Sequence, residues 1–206
     1  MIEIVPLKYE YCERIYEIAK ECLPEHWSLA GIRDVLNYDN NIYYVAVIKD
    51  NDGMDIRYSD GITDDDIDNN GADEIIDDNT DNNGPDEIID DNIDDSNADE
   101  ITDCECGFCS DNIVGFGGIM IVADEAELLN VAVTESLRGH GIATVLLDKL
   151  MTDAKNAGCT GMLLEVRSHN CAAQHLYKKK GFTELGVRKN YYSNPADDAI
   201  IMERGL

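Results

Sequence analysis

The chain has 206 residues, 44% of them hydrophobic, and a formal net charge of −27, but residues 51–112 alone carry 23 of its 43 acidic side chains against one base, Arg57. The other 144 residues have a charge of −5, an ordinary surface without the basic face that contacts to nucleic-acid phosphates need. The longest apolar run, residues 114–123, is too short to span a bilayer. We therefore expect a cytoplasmic protein that binds neither nucleic acid nor membrane.

The first half of the chain predicts a strand, two helices and a second strand. Residues 2–7 alternate apolar and polar side chains, and residues 11–23 carry apolar side chains at helical spacing. Ser28 can cap the second helix, and residues 41–49 are rich in Tyr, Val and Ile. The natural partner of this second strand is the similar run at 113–122.

Residues 51–112 separate these two partner strands. The first strand is followed directly by Asp50-Asn51-Asp52-Gly53, which is strong turn chemistry. Loops at hairpin tips tolerate added length at small entropic cost. We therefore predict a single domain of residues 1–206, with 51–112 as an acidic insertion between two hairpin strands.

The second half of the chain alternates strands with helices. Strands are predicted at 127–133, 160–167, 182–188 and 199–203, and helices at 139–157 and 170–180. Asn170 is expected to cap the second of these helices. The apolar face of the first is predicted to consist of Val145, Leu146, Leu150, Met151 and Ala154. This order is typical of an α/β fold with a mixed, mostly antiparallel sheet flanked by helices.

Two glycines lie where the helix at 139–157 begins, in the segment Arg138-Gly139-His140-Gly141-Ile142-Ala143. Small residues there let backbone N–H groups approach an anion at the positive end of the helix dipole. The segment therefore fits a pyrophosphate. The same glycines also fit a tight turn without a ligand.

Glu165 lies near the end of a predicted strand, and Asn170 and Tyr177 belong to the helix that follows. Seven residues turn a helix through roughly 700°, so Asn170 and Tyr177 share one face. A carboxylate and a phenol near a pyrophosphate site suit acyl transfer from a thioester, because Glu can take a proton from an amine and Tyr can give one to the leaving thiolate. Alternatively, Glu165 pairs with a surface lysine and Tyr177 belongs to the core.

The segment 138–143 resembles the Arg/Gln-x-x-Gly-x-Gly/Ala acetyl-CoA motif of the GNAT acetyltransferases. The resemblance extends to the carboxy-terminal half of the ribosomal-protein alanine N-acetyltransferases, which acetylate a protein's terminal α-amine. It rests on Leu164-Glu165-Val166-Arg167, Asn170, Leu176-Tyr177, Gly181-Phe182, Arg188-Lys189-Asn190-Tyr191-Tyr192 and Asp198-Ala199-Ile200-Ile201-Met202, and on His26-Trp27-Ser28, which is similar to a Pro-Trp-Ser element. It implies a GNAT fold in which the last strands splay apart to admit CoA, although that family lacks the acidic insertion.

The resemblance also implies catalytic and substrate-binding residues. Glu165 would be the general base and Tyr177 the general acid. The incoming protein N-terminus would lie in a groove lined by Trp27, Tyr191 and Tyr192.

A further set of residues is implied to bind acetyl-CoA. Asn170 would contact the pantetheine arm, and the backbone of Val131, Ala132 and Val133 would hydrogen-bond along it. The pyrophosphate would be wrapped by Gly139, His140, Gly141, Ile142, Ala143 and Thr144, and Arg138 would also bind the cofactor.

The implied reaction is acetyl-CoA-dependent acetylation of the N-terminal α-amine of a protein, such as a basic ribosomal protein. A terminal amine has an unperturbed pKa near 8 and lysine one near 10.4, so far more of the terminal amine is nucleophilic at neutral pH. An acidic chain should also attract basic N-termini. Two alternatives are a GNAT enzyme for a small amine and a calcium-responsive acidic binding module on a CoA-binding core.

The acidic insertion repeats with a period of 13 residues. Its frames resemble calcium loops with oxygen ligands at positions 1, 3, 5 and 12, similar to the repeats of thrombospondin type 3 modules. The candidate calcium ligands are Asp66, Asp68, Asn70 and Asp77. Alternatively, the segment stays disordered because its charges repel. A cysteine cluster near its end is either a zinc-binding set or a group of plain loop cysteines, namely Cys104, Cys106 and Cys109.

Overall fold

The computed structural model describes residues 1–23, 27–49 and 112–206. Seven strands and four α-helices lie in these ranges: β1 (Ile2–Pro6), α1 (Cys12–Cys22), α2 (Leu29–Asp34), β2 (Asn41–Ile48), β3 (Ile113–Val122), β4 (Glu125–Val133), α3 (Ile142–Asn156), β5 (Gly161–Arg167), α4 (Cys171–Lys179), β6 (Thr183–Ser193) and β7 (Ala196–Gly205). Each predicted element is present, although β6 and β7 extend several residues beyond the predicted strands. Residues 51–111 of the acidic insertion, with its candidate calcium ligands and its cysteine cluster, lie outside the described residues.

The seven strands form one mixed sheet in the order β1-β2-β3-β4-β5-β7-β6. Of these described strands, β4 and β5 pair in parallel, joined by the crossover helix α3, and the other neighbours are antiparallel. The predicted pairing of β2 with β3 is confirmed, with Tyr43 opposite Gly118. A Cβ atom at Gly118 would clash with the Tyr43 ring, so the glycine lets that ring lie across β3.

Helices cover both faces of this sheet. Val45 and Val47 of β2 pack in the cluster that α1 and α2 bury. Ala46, between them, packs against the first turns of α3, because successive side chains of a strand point to opposite faces. The predicted mixed, mostly antiparallel sheet flanked by helices is therefore confirmed.

The prediction that Val145 belongs to the apolar face of α3 is wrong. Val145 is 48% exposed, and Leu147 is buried instead. At 100° per residue, Leu147 lies about 45° from the centre of the buried face and Val145 about 155° from it. The other predicted positions are buried, as expected: Leu146, Leu150, Met151 and Ala154.

β4 and β5 separate halfway along their length. Their parallel pairing starts with Glu125 beside Gly161 and ends with Leu128 beside Leu164. The register of β4 with β3 shifts at this point and leaves Leu129 as a bulged residue, and a bulge disrupts the ladder and increases the twist. The splay therefore lies between β4 and β5. The expectation that the last strands splay is wrong, since β6 and β7 are paired.

Candidate active site

A cavity of about 220 Å³ opens between the separated halves of β4 and β5. Its lining includes the apolar side chains Leu23, Ile32 and Phe116 and polar groups from β5, α4 and β6. Six of the predicted site residues meet in its lining: Trp27, Val131, Glu165, Asn170, Tyr177 and Tyr192. The sheet therefore gathers in one place residues that are far apart in the sequence.

Glu165 is held at the cavity by two side chains of β6. It lies on the half of β5 that has separated from β4, and its side chain is 22% exposed. Its Oε1 is 2.5 Å from Nη1 of Arg188. A hydrogen bond to the Glu165 carboxylate raises the pKa of Tyr191, so this phenol stays a donor to Glu165. The ion-pair partner of Glu165 is thus an arginine rather than the surface lysine of the alternative interpretation.

Tyr177 is a buried phenol on α4, with an exposed fraction of 8%. Its ring packs edge-on against Phe182, with 5.8 Å between centroids. Burial raises the pKa of Tyr177 to about 12, because a phenolate is poorly solvated there. Tyr177 therefore keeps its proton at neutral pH, which is the state that a general acid needs.

Asn170 caps α4, as predicted. Its Oδ1 accepts a hydrogen bond of 3.1 Å from the backbone N–H of Ala173, the usual geometry of an N-cap. The side-chain oxygen is therefore committed to the helix. The amide nitrogen is the group of this side chain that can donate to a ligand in the cavity.

The predicted pyrophosphate loop precedes α3 and ends in its first turn. Gly139 and Gly141 have φ angles of 79° and 77°, a left-handed conformation that favours glycine. Gly141 is the N-cap of α3 and provides no side-chain cap, so backbone N–H groups of the first turn are not capped by a side chain. The loop and first turn contain the predicted residues Gly139, His140, Gly141, Ile142, Ala143 and Thr144.

Some predicted anion-binding side chains have other roles in this loop. Nε of Arg138 donates to the carbonyl of Val133 at 3.2 Å, which ties the loop to β4. Ile142 is buried in the core with 2% exposure, so its contribution to an anion is confined to its backbone. Nδ1 of His140 lies 3.0 Å from the carbonyl of Arg138.

The predicted backbone contacts to the pantetheine arm fall on the separated half of β4. Val131 lines the cavity, whereas Ala132 and Val133 have buried side chains. The carbonyl of Val133 already accepts from Arg138 and, at 3.3 Å, from Sγ of Cys22. Because a carbonyl oxygen has two lone pairs, this group is already satisfied within the protein.

The three predicted substrate-binding aromatic residues lie around Glu165. Trp27 and Tyr192 line the cavity. Tyr191 contacts Glu165 and packs edge-on against Tyr192, with 5.1 Å between ring centroids. Tyr191 therefore connects Tyr192 to the carboxylate, and Trp27 lines the same cavity as Glu165 and Tyr192.

Two arginines of this site have no predicted role. Arg167 stacks its guanidinium 4.1 Å from the Tyr192 ring and donates to the carbonyls of Asn194 and Pro195, so it anchors the β6–β7 turn. Arg188 pairs with Glu165. Both belong to segments that carry the family resemblance, but their roles depend on strand pairing, which spacing alone does not reveal.

The described residues also bear on metal binding and on membrane-spanning helices. Residues 1–23, 27–49 and 112–206 contain no group of three or more His, Cys, Asp or Glu side chains that could hold a metal ion. Over the same ranges, each helix is too short or too polar to cross a membrane.

The sequence is similar to that of a bacterial acetyltransferase. It is 40% identical over 96 residues to the ribosomal protein bS18-alanine N-acetyltransferase of Haemophilus influenzae, a match that covers 45% of this chain and 65% of that enzyme. The chain thus spans slightly less than two thirds of the length of this relative.

The fold is shared with solved acetyltransferases. The ribosomal-protein-S18-alanine N-acetyltransferase of Escherichia coli matches with a TM-score of 0.64 at 21% identity, over 100% of this chain and 94% of that chain. Arabidopsis thaliana NAA60 in complex with acetyl-CoA matches with a TM-score of 0.64 at 17% identity, over 100% and 99% of the two chains. The predicted GNAT fold class is therefore confirmed.

The acetyltransferase (GNAT) family profile matches residues 72–182. This range is more than half of the chain, and it includes the separated half of β4, the glycine loop, Glu165 and Tyr177. Because the profile matches more than half of the chain and includes these parts of the cavity, the protein belongs to the GNAT acetyltransferase family.

Proposed function

We propose that this protein transfers an acetyl group from acetyl-CoA to the N-terminal α-amine of a protein, as its relatives named ribosomal-protein alanine N-acetyltransferases do. The observation that carries this proposal is that Glu165, a carboxylate, and Tyr177, a phenol that keeps its proton, line one cavity between the separated strands. A proton acceptor and a proton donor thus line the same small cavity. The transfer of an acyl group to an amine requires both.

The residues around the cavity fit acetyl-CoA, which when bound supplies an acetyl group as a thioester. Beyond Leu128, β4 has no pairing with β5, so this edge of β4 can hydrogen-bond to an extended amide-containing arm. Oδ1 of Asn130, at the cavity wall, is buried without a hydrogen-bond partner among the described residues and suits an amide donor. The Gly139 and Gly141 loop at the positive end of α3 suits the pyrophosphate.

The two catalytic groups would act on opposite sides of the transfer. Glu165, directly or through a water molecule, takes the proton that the attacking amine must lose. Tyr177 gives its proton to the departing sulfur. The raised pKa of Tyr177 keeps that proton in place until the sulfur carries negative charge.

The substrate favoured by this site is a cationic N-terminus. The net charge of −27 attracts basic peptides, in a manner that salt weakens. The aromatic surface of Trp27, Tyr191 and Tyr192 can pack against the first residues of a peptide. A ribosomal protein with a basic N-terminus is the substrate class that we propose.

The proposal is tested by incubating the full chain with acetyl-CoA and short basic peptides that begin with Ala, Ser or Met. We expect thiol release and the addition of one acetyl group, located at the N-terminus by fragmentation mass spectrometry. The same peptides with a blocked N-terminus and free lysines are the matched control, and they should not react.

Two outcomes contradict the proposal. One is the absence of thiol release with every free peptide. The other is turnover on polyamines or amino sugars without turnover on peptides, which would assign the site to a small-amine acetyltransferase.

A further inference from the structure

The strand β6 contains a bulge beside Glu165. Arg188 pairs with Ala199 of β7, and Tyr192 pairs with Asp197. Three residues, 189–191, therefore stand opposite Asp198 alone. Asn190, in the middle, has a φ angle of 54°. Bulges of this kind redirect side chains and are over-represented next to active sites.

Asp198 holds this bulge in place. Its Oδ1 accepts a 2.8 Å hydrogen bond from the backbone N–H of Asn190, and its Oδ2 pairs with Nζ of Lys189 at 2.6 Å. These contacts hold the pKa of Asp198 below its usual range, the lysine contact being the larger cause. Asp198 is therefore ionised at neutral pH and binds both groups.

The bulge brings Arg188 and Tyr191 onto one carboxylate. In a regular strand, residues three apart point to opposite faces, but here both side chains contact Glu165. The guanidinium carbon of Arg188 also lies 5.5 Å from the centroid of the Tyr191 ring. Glu165 thus has one neutral donor and one cation as partners.

Arg188 can leave this carboxylate at low cost. Its side chain is 55% exposed, and Arg188 is not among the residues that line the cavity, whereas Glu165 is. An ion pair with one such exposed partner contributes about 0.2–1 kcal/mol. Moving the guanidinium into solvent opens no buried surface of the core.

The proposed reaction places a second cation at this carboxylate. A terminal amine, with a pKa near 8, arrives at neutral pH mostly as an ammonium ion, and it must approach Glu165, directly or across one water molecule, to lose its proton. A guanidinium at hydrogen-bond distance from Oε1 competes with that ammonium for the same carboxylate. One of the two cations must give way.

Resting on the proposed function, we infer that Arg188 is the resting counter-ion of Glu165 and that the terminal ammonium of the substrate displaces it. Tyr191 stays as the neutral donor that keeps the carboxylate oriented while the cations exchange. Arg188 is in this sense a specificity-determining residue. It makes Glu165 available to a cation that brings further contacts along the aromatic surface, and less available to a free small amine or a metal cation.

Binding tests this inference without relying on turnover. Trp27 is the single tryptophan of the chain and lines the cavity, so its fluorescence can report on peptide binding. The probes are an Ala-starting peptide with a free N-terminus and the same peptide acetylated at its N-terminus. We expect R188Q to bind the free peptide roughly 1.4- to fivefold more tightly, the range that an exposed ion pair spans, and to bind the acetylated peptide as before.

Two further variants separate a specific exchange from a general effect of charge. R188K keeps a cation near Glu165 and should restore the discrimination of the parent protein. K189Q removes the same charge from the neighbouring position, where the side chain pairs with Asp198 rather than Glu165, and it keeps the bond from the Asn190 backbone to Asp198 that holds the bulge. It should leave the ratio of the two affinities unchanged.

Three results would overturn the inference. R188Q could bind both peptides more tightly by the same factor, or K189Q could change the ratio of the two affinities as much as R188Q does. R188Q could also bind the free peptide more weakly than the parent protein. The last result would mean that Arg188 orients Glu165 and stays in place. If the parent protein acetylates N-termini but R188Q shows no gain specific to the free amine, the inference fails alone. If the parent protein acetylates no peptide, the proposed function fails whatever the binding result.

Discussion

The two ends of the β4–β5 pair differ although the same two strands form both. At the paired end, Ala126 and Leu128 of β4 and Met162 and Leu164 of β5 are buried, and the strands are hydrogen-bonded to each other. At the separated end, Glu165 and Arg167 of β5 face the cavity. One end is a hydrophobic core, and the other is a polar site.

This difference shows how a single bulge divides one sheet between stability and chemistry. The change coincides with Leu129, the extra residue in β4. Before it, backbone groups satisfy each other and side chains exclude water. After it, the strand edges lack each other as partners and can bind a ligand instead. Substitutions at the paired end should therefore change folding, and those at the separated end should change catalysis.

The largest effect is expected from Glu165→Gln at the separated end. An amide keeps the shape of the side chain but cannot accept the proton of the amine, so kcat should fall about 10²- to 10⁴-fold. Acetyl transfer measured by thiol release checks this, and urea unfolding should be nearly unchanged. Full activity of this variant would remove Glu165 from the mechanism.

The paired end should respond in the opposite way to Leu164→Ala. Leu164 is fully buried among the side chains of β5, α3 and α4, so the free energy of unfolding should fall by about 2–5 kcal/mol. Folded protein should retain most of its kcat. Leu163→Ala is the matched control, because Leu163 is only partly buried on the other face of β5, and its cost should be clearly smaller.

Tyr177→Phe should lower kcat about a hundredfold, because it removes the proton donor and keeps the ring that packs on Phe182. The pKa of about 12 adds a test in the parent protein. An acid with a raised pKa stays protonated below that pH, so kcat should not fall through tyrosine ionisation between pH 8 and 10. A decline centred near pH 10, the ordinary tyrosine pKa, would contradict the assignment.

Local sequence signals predicted the elements around the site well. The apolar periods located each strand and helix, and Asn170 caps α4 as its residue type suggests. Glu165 and Tyr177 were assigned through the family resemblance, and the sheet brings them to one cavity. The predictions of elements and of the cap succeeded because they depend on short stretches of chain, in which spacing determines orientation. The catalytic roles of Glu165 and Tyr177 stay predictions.

The sequence did not predict features that depend on strand pairing. The bulge at residues 189–191 and the contact of Arg188 with Glu165 exist because β6 pairs with β7 in a shifted register, which no local period encodes. The backbone of Val133 was expected to hydrogen-bond to a ligand, yet its carbonyl accepts from Arg138 and Cys22. Whether a carbonyl accepts from the protein or from a ligand depends on which donors lie near it in the folded chain.

A smaller effect is expected from Gly141→Ala, at the N-terminus of α3 on the separated side. Its left-handed φ of 77° costs an L-residue about 1–2 kcal/mol, although a Cβ atom there would meet nothing within 4 Å. We expect a loss of about 1 kcal/mol of stability and a higher KM for acetyl-CoA. Gly186→Ala is the control, since its Cβ also has open space and it is not among the positive-φ glycines.

The smallest effect should be a change in the acid stability of the polar end, where Asp197 of β7 is buried. A hydrogen bond from the Ser168 hydroxyl, assisted by bonds from His169 and Asp198, holds the pKa of Asp197 well below its ordinary value of 3.8. Because the folded pKa is lower than the unfolded one, this carboxylate stabilises the fold at pH values above about 4, and the contribution is lost as the pH falls. Ser168→Ala should therefore flatten the decline of unfolding free energy between pH 5 and pH 2.5, as measured by urea titration. Thr160→Ala is the control, because its hydroxyl bonds a backbone carbonyl rather than a carboxylate. It should lower the free energy of unfolding equally at both pH values. If both variants flattened the pH dependence equally, Asp197 would not be its cause.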